Sequence, residues 1–495
     1  MIYDINQMLK KGAEFPPRSE VPRIDGYKIN DMLLNDDAWA ALPAYQVRVN
    51  TVLSNFLLPS NYLYYYSANH WADLVAKLQE LTYGENPDIV ILEEKQTDDM
   101  KGAIAEILSK TEFFEKAKEG CADFVSLGEW VTKAVKTKDG MSFINVDPST
   151  WFPIVSRENV KEIKAHVLAW VADVDEKRKE LHVQIHEKGR YTNRAFEIKN
   201  YNPNSTFTDP TTKQTIEYCS CIIGNELQKS ATDFELKTES NGLSADEFAV
   251  IVSANNPKPR TVYGTSDFDF ITSAAMEYNV RMTLKNVVLD KHSAPKLYGP
   301  YMQKQSDNDD NAATVGNYIE LDPGEGAPGY LTWDANMQAV ENSINSVKDD
   351  IANLSGMGSL LNSKTFGESQ GYDALMIKLA PALMRSKGKK DTLEKHLKKL
   401  ISVLSASYGA RIAAEDVSVM WHDGIPTTES VRADIARKHL ATGWSNKRVL
   451  MQDYGFSEED AEEEVEAKRL ETPAMPSFGV DEGSFGNEQG GDDTE

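Results

Sequence analysis

At 495 residues the chain has material for two to four compact units or one elongated multi-part subunit, and its 41% hydrophobic and 26% charged residues exclude wholesale disorder or a fibre. A formal charge of −24, from 53 Lys and Arg against 77 Asp and Glu, argues against tight wrapping of nucleic acid, which needs many phosphate contacts, but not against a surface that nucleic acid slides past. Cys121, Cys219 and Cys221 are an odd count without a Cys-x-x-Cys pair, so neither a disulfide framework nor a four-ligand zinc site is expected, and the lack of a long apolar run predicts a protein made in cytoplasm with no membrane span.

From Asp37 to about Leu81 the spacing of Val47, Val52 and Phe56 predicts helices around a short aromatic loop, Tyr62 to Tyr66. Ile104, Ile107, Leu108, Phe114, Ala117, Cys121 and Phe124 recur at three- and four-residue steps, predicting one helix from Met100 to Val125. Trp130 to Lys136 and Met141 to Val146 flank Lys138, Asp139 and Gly140, a hairpin signal because Asp-Gly tolerates the positive φ of a tight turn. Three strand-like runs follow between Ala165 and Ile198, one alternating Leu181, Val183 and Ile185 with His182, Gln184 and His186. Between Asn200 and Asp246 the polar composition predicts further short strands and loops.

After Pro259 the pattern turns to long helices. Ser266 with Asp269 reads as a capping box, and Phe268, Ile271, Ala275, Tyr278 and Met282 predict one face of a helix running to about His292. Residues 293 to 334, with Pro295, Pro300, Pro323 and Pro328, read as an extended or β-type insertion before a helix from about Asn336 to Leu354. A glycine-bearing loop from Ser355 to Gly371 precedes a long helix from Tyr372 to about Tyr408, spaced by Leu375, Leu379, Leu383, Leu393, Leu397, Leu400 and Leu404 and kinked at Pro381. Past Trp421 three short helices are expected, the second capped by Ser445 and ended at Gly455, the third capped by Ser457. The tail from Pro473 has no Lys or Arg and the composition of a disordered segment.

Asp88, Glu93, Glu94 and Lys95 spell the residue types of a metal-dependent nuclease, but five residues of one strand would hold the carboxylates about 16 Å apart, too far to share a metal. Asp307, Asp309 and Asn311 open like a calcium loop, yet Ala312 replaces the turn glycine and Tyr318 the bidentate Glu. His182 and His186 lack a third ligand and read as surface histidines. Lys389 and Lys390 follow Gly388 without the rest of a phosphate-binding loop, which removes the grip on ATP that a motor would need. The run from Arg385 to Lys399, with Lys387, Lys389, Lys390, Lys395 and Lys398 against Asp391 and Glu394, reads either as a solvated face paired with acidic neighbours or as a surface for DNA or another subunit.

Taken in order, these parts resemble the portal proteins of siphovirus-type tailed bacteriophages, over about Met100 to Arg469. Gly264 to Ile271 followed by Glu277, Tyr278 and Asn279 resembles that family's first stem helix, and Leu297 to Pro300 its passage into the clip. Gly367 to Gly371 leading into Ala374 and Leu375 is similar to the Ser-Gly-x-Ala-Leu segment that opens the family's long kinked helix, although Gly371, Tyr372 and Asp373 depart from it. Gly443, Trp444 and Ser445, and Glu458 to Glu462, are similar to its C-terminal helical pair.

The resemblance implies an α+β portal fold: a mixed wing over 1–263, a stem helix over 264–292, a β-containing clip over 293–335, a second stem helix over 336–355, a tunnel loop over 356–371, a long kinked wing helix over 372–408, a helical crown over 409–471 and a disordered acidic tail over 472–495. It further implies a homo-dodecameric ring at one capsid vertex of the virion, assembled in the host cytoplasm, through which double-stranded DNA is packaged and ejected. Its partners would be the terminase large subunit, the major capsid protein, a head-tail adaptor and also a scaffold protein. No catalytic residue, cofactor or metal is implied. Asn362, Lys364 and Phe366 of the loop are then expected to face the DNA, and Arg385, Lys387, Lys389 and Lys390 form the basic helix patch. The competing readings are a nucleic-acid-processing enzyme, such as a nuclease or motor subunit, and another virion protein such as a head-tail adaptor.

Overall fold

The computed structural model describes residues 1–55, 65–92, 95–138, 140–175, 178–210, 213–292, 296–300, 318–321, 327, 329–331, 337–361, 372–422, 429–454, 456 and 458–471. The chain forms two units, Met1–Gly424 and Ile425–Glu495. The first opens with α1 (Ile5–Met8), β1 (Glu14–Phe15), α2 (Val21–Leu34), α3 (Ala38–Ala41), α4 (Pro43–Asn55) and α5 (His70–Tyr83). In α5 the Asn69 side chain accepts the Ala72 N–H at 2.9 Å, and Trp71, Leu74, Val75 and Leu78 make the buried face that this cap starts.

Strand β2 (Asp88–Ile91) leads to α6 (Asp98–Lys110) and α7 (Phe113–Ser126). The one helix predicted from Met100 to Val125 is therefore two. Thr111 closes α6 by bonding back to the Ile107 carbonyl, and Glu112 takes a left-handed φ of 53°, which breaks the ladder and turns Phe113 into the core. Apolar spacing runs on through the break because both helices cover the same core, so periodicity alone cannot show it.

The predicted hairpin is β3 (Glu129–Thr137) with β4 (Gly140–Asn145), where Thr137 faces Gly140. Next come β5 (Trp151–Val155), β6 (Ile163–Asp173), β7 (Lys179–Glu187), β8 (Arg190–Thr208), β9 (Thr215–Glu226), β10 (Thr238–Ser240) and β11 (Val250–Ala254). A seven-stranded sheet has the order β1-β9-β8-β7-β6-β5 with β10 beside β8, while β11 joins the hairpin as β11-β3-β4. Much of the stretch expected to be short strands after Asn200 is instead one long ribbon, in which β8 runs out to Thr208 and returns as β9.

Both faces of the seven-stranded sheet are covered. Phe152, Val167, Leu181, Val183 and Ile185 pack with Met8, Leu9 and Phe15 from the N-terminal segment. The opposite face carries His166, His182 and His186, all at most 4% exposed, so the reading of His182 and His186 as surface residues is wrong. His182 stacks on Phe234 and His186 on Tyr191; period-2 alternation distinguishes two faces of a strand but not whether the second one meets water.

Helix α8 (Phe268–His292) and α9 (Met337–Ser355) bracket a sheet in which β12 (Lys296–Pro300) runs parallel to β13 (Tyr318–Leu321) and antiparallel to β14 (Gly329–Leu331). The two helices are tied by Arg281 donating to the Ser343 carbonyl at 2.9 Å and by a 3.1 Å Lys285–Glu341 pair. The single apolar face expected on α8 is two: Phe268, Ile271 and Ala275 enter the central core, whereas Val280 and Val287 pack against Tyr45, Val49, Val52 and Leu53 of α4.

Helix α10 (Tyr372–Ser405) is 34 residues, roughly 51 Å, with Pro381 inside it. Leu393, Leu397, Leu400 and Leu404 are fully buried, and His396 lies flat on Trp130 at 3.9 Å between the Thr132 and Ser253 hydroxyls, locking α10 to β3 and β11. Strand β15 (Val417–Met420) returns to pair with β2. The second unit contains α11 (Glu429–Ala441), α12 (Asn446–Tyr454) and α13 (Glu458–Glu471); Ser445 caps α12 by accepting the Arg448 N–H at 3.2 Å, whereas Gly455 and Ser457 lie outside the described residues.

Candidate functional site

The glycine loop is framed by two described ends, the C-terminus of α9 and the body of α10, and an arginine of α10 that lies against the first is bound to a buried carboxylate. Ser266 starts α8 by accepting the Phe268 N–H at 3.0 Å, and this turn points Asp267 inward, where it is 0% exposed. Asp267 Oδ1 accepts from Arg385 Nη2 at 2.7 Å and Asn256 Nδ2 at 2.8 Å; Oδ2 accepts from Lys389 Nζ at 2.6 Å and Asn255 Nδ2 at 3.2 Å. Lys389 also donates to Asn255 Oδ1 at 2.8 Å. One carboxylate thus joins the segment after β11, the start of α8 and the middle of α10.

Burial opposes the charge on Asp267, but the Lys389 ammonium and Arg385 guanidinium, with the donated hydrogen bonds, hold its carboxyl below the ordinary range. The same guanidinium reaches the base of the loop. Gly356, the residue after α9, has φ 69°, and a Cβ there would stand 2.8 Å from Arg385 Cδ. Glycine at 356 therefore answers two demands, a left-handed turn and room for an arginine already committed to Asp267.

The four basic residues singled out in the sequence do not form one patch. Arg385 and Lys389 converge on Asp267; Lys390 donates to the His422 carbonyl at 2.7 Å; Lys387 is exposed. Asn362, Lys364 and Phe366 lie outside the described residues, as do Glu93 and Glu94, the acidic loop at 307–311 and the tail at 472–495. Asp88 sits on β2 beside His422, 3.2 Å away. Among the described residues no group of three or more His, Cys, Asp or Glu is placed to hold a metal ion, and no helix is long and apolar enough to cross a membrane.

Sequence reasoning missed Asp267, which reads as part of a cap, and its partners Asn255 and Asn256. A signal existed in α10. Ala382, Ser386, Lys389 and Leu393 follow the three- and four-residue steps of a buried stripe, so Lys389 falls on the inward side and requires a counter-charge.

The architecture is that of an α+β structural subunit, with two helices around a small sheet and a long Pro-bearing helix clamped beside a glycine loop. The chain belongs to the phage portal protein family of the SPP1 Gp6-like type, whose family model matches residues 66–472. That family is structural, not enzymatic. No curated protein gives a match to the chain.

Proposed function

We propose that the chain is the repeating subunit of a dodecameric portal ring at one capsid vertex, forming the channel through which double-stranded DNA is packaged and ejected. The carrying observation is the family match over 66–472, which spans every element from α5 through α13. On this reading 1–263 is the wing, α8 and α9 are the stem over 264–292 and 336–355, and residues 293–335 with β12, β13 and β14 are the clip. Residues 356–371 are the tunnel loop, 372–408 the long kinked helix, 409–471 the crown and 472–495 an acidic tail. The terminase large subunit, a head-tail adaptor, the major capsid protein and a scaffold protein dock on this ring in the assembled particle.

Support also comes from charge. A ring of subunits each carrying −24 repels the phosphate backbone, so DNA can move through it without sticking. Asn362, Lys364 and Phe366 belong to the loop nearest the DNA, and Arg385, bound to Asp267, lies beside its first residue, Gly356. The purified full-length chain is expected to form rings with a central channel and no nucleotide requirement, seen by negative-stain microscopy and native mass spectrometry. Monomer at every salt concentration would defeat the reading. Removing Asn362 to Phe366 should leave rings intact and block packaging of full-length DNA, and Lys364→Glu should weaken packaging in a salt-dependent way; packaging at wild-type rate and yield by both variants would remove the loop from the channel.

A further inference from the structure

The outward side of α10 is a continuous stripe with no cover among the described residues. Ile377, Pro381, Met384, Gly388, Asp391 and Lys395 follow one another at steps of three and four and are all exposed, Ile377 and Met384 at 76% each. The upper half of the stripe is apolar and the rest basic: Lys387 and Lys399 are exposed beside Lys395, against the single carboxylate of Asp391. A helix that presents isoleucine and methionine almost fully to water leaves apolar surface that an assembly contact would cover.

The complementary surface is present in the same chain. Along one side of α9, Ser346, Asp350, Asn353 and Leu354 are exposed, Leu354 at 49%. The Asp350 carboxylate stands one turn before the leucine at the end of the helix, so a basic-and-apolar stripe is matched by an acidic-and-apolar face. The two belong to helices with different supports, since α9 lies on α8 while α10 lies on β3 and β11. Closed rings of identical subunits with more than two members need such a pair of unlike faces.

We propose that the exposed stripe of α10, centred on Met384 and Lys387, docks on the α9 face around Asp350 and Leu354 of the neighbouring copy, an inference that rests on the ring reading above. Met384 and Ile377 lose water against Leu354 and the small Ser346 and Asn353 side chains, and Lys387 meets the carboxylate of Asp350. DNA is the poorer occupant, because phosphate contact gives no return on the two exposed apolar side chains, Ile377 and Met384.

Charge reversal tests it on the full-length chain. Lys387→Glu and Asp350→Lys are each expected to raise the concentration needed for half-assembly by roughly tenfold, and the double variant to restore it, since the ion pair is rebuilt with its signs exchanged. Met384→Glu should weaken assembly at least as much and should not be rescued by Asp350→Lys alone to the wild-type level. Both reversed positions are exposed, so the thermal transition of the unassembled chain should not move, which separates lost docking from lost folding. As a second readout, mixing Lys387→Cys and Asp350→Cys chains, each also carrying Cys219→Ser to remove the exposed native thiol, should under mild oxidation give an intermolecular cross-link that neither chain gives alone. If wild type forms rings and the reversals assemble equally well, the docking face is wrong and the ring stands. If wild type never assembles, the ring reading itself falls. Reversals that assemble normally but package DNA poorly would place the stripe against DNA and overturn the proposal.

Discussion

Around Asp267 the chain buries charges and pairs them; on the second face of the seven-stranded sheet, opposite the N-terminal segment, it buries histidines and leaves them neutral. Arg385 and Lys389 converge on a carboxylate that accepts four side-chain hydrogen bonds; burial pulls the Lys389 ammonium below its ordinary range, and Asp267 opposes that pull. His166 and His186 have no such anion. Burial pushes each down to about 3, with Lys399 adding to the effect at His166 and Lys133 and His166 adding to it at His186. His396, on the buried side of α10, is held at about 3 by burial and then by Lys399. The difference teaches that a buried ionisable group is tolerated either by a partner that keeps its charge or by surroundings that remove it, and that the two solutions fail under different conditions.

Acid should separate them most sharply. The unfolded chain takes up a proton on each histidine near 6.5 and the folded chain only near 3, so their contribution is intact above about pH 6.5 and is lost as the pH falls toward 3. Each site approaches a slope of about 1.4 kcal/mol per pH unit inside that window, and the three together should cost several kcal/mol by pH 4. The Asp267 cluster behaves later: its carboxyl is depressed below 3.8, so its share is present above that value and is lost only at lower pH. Denaturant midpoints followed by tryptophan fluorescence from pH 7 to 4 should fall steadily; a flat profile over that range would contradict the buried neutral histidines.

At constant neutral pH the order reverses and the paired region becomes the fragile one. Asp267→Ala strands two cations, one of them almost fully buried, and should cost about 3–5 kcal/mol in urea unfolding. Gly356→Ala should cost about 1–2 kcal/mol, because alanine resists φ 69° and its Cβ pushes on an arginine that Asp267 holds; combined with Arg385→Ala, which vacates the space, the penalty should shrink toward the backbone component alone. The smallest effect is expected at His186. Neither ring nitrogen has a hydrogen-bond partner, so His186→Phe, which keeps the stack on Tyr191, should change neutral-pH stability by no more than about 1 kcal/mol while reducing the acid slope. A large neutral-pH loss would show that the imidazole is bonded after all.

Local chemistry made much of the chain legible. The Asp-Gly signal placed the β3–β4 hairpin, Ser445 placed the start of α12, the leucine spacing placed the long helix that carries Pro381, and the order of these parts pointed to the portal family that the match over 66–472 then showed. Each of those signals lies within a few residues of the feature it specifies. The candidate site was less legible, because Asp267 meets Arg385 and Lys389 across more than a hundred residues and nothing in the spacing of either segment names the other.

The same limit explains the errors. The break at Glu112 vanishes in a periodic pattern because α6 and α7 share one core, and the burial of His182 and His186 depends on what covers the second face of a sheet, not on the strand that carries them. By itself, then, the sequence determined the elements, their caps and turns, the family and the acidic balance, all of which follow from backbone preferences and side-chain periodicity acting over short range. Only the tertiary structure decided which lysine of a basic run is buried against a carboxylate and which faces water, which histidines are stripped of their charge, and why Gly356 must be glycine, because each depends on atoms brought together from distant segments in a medium that water does not enter.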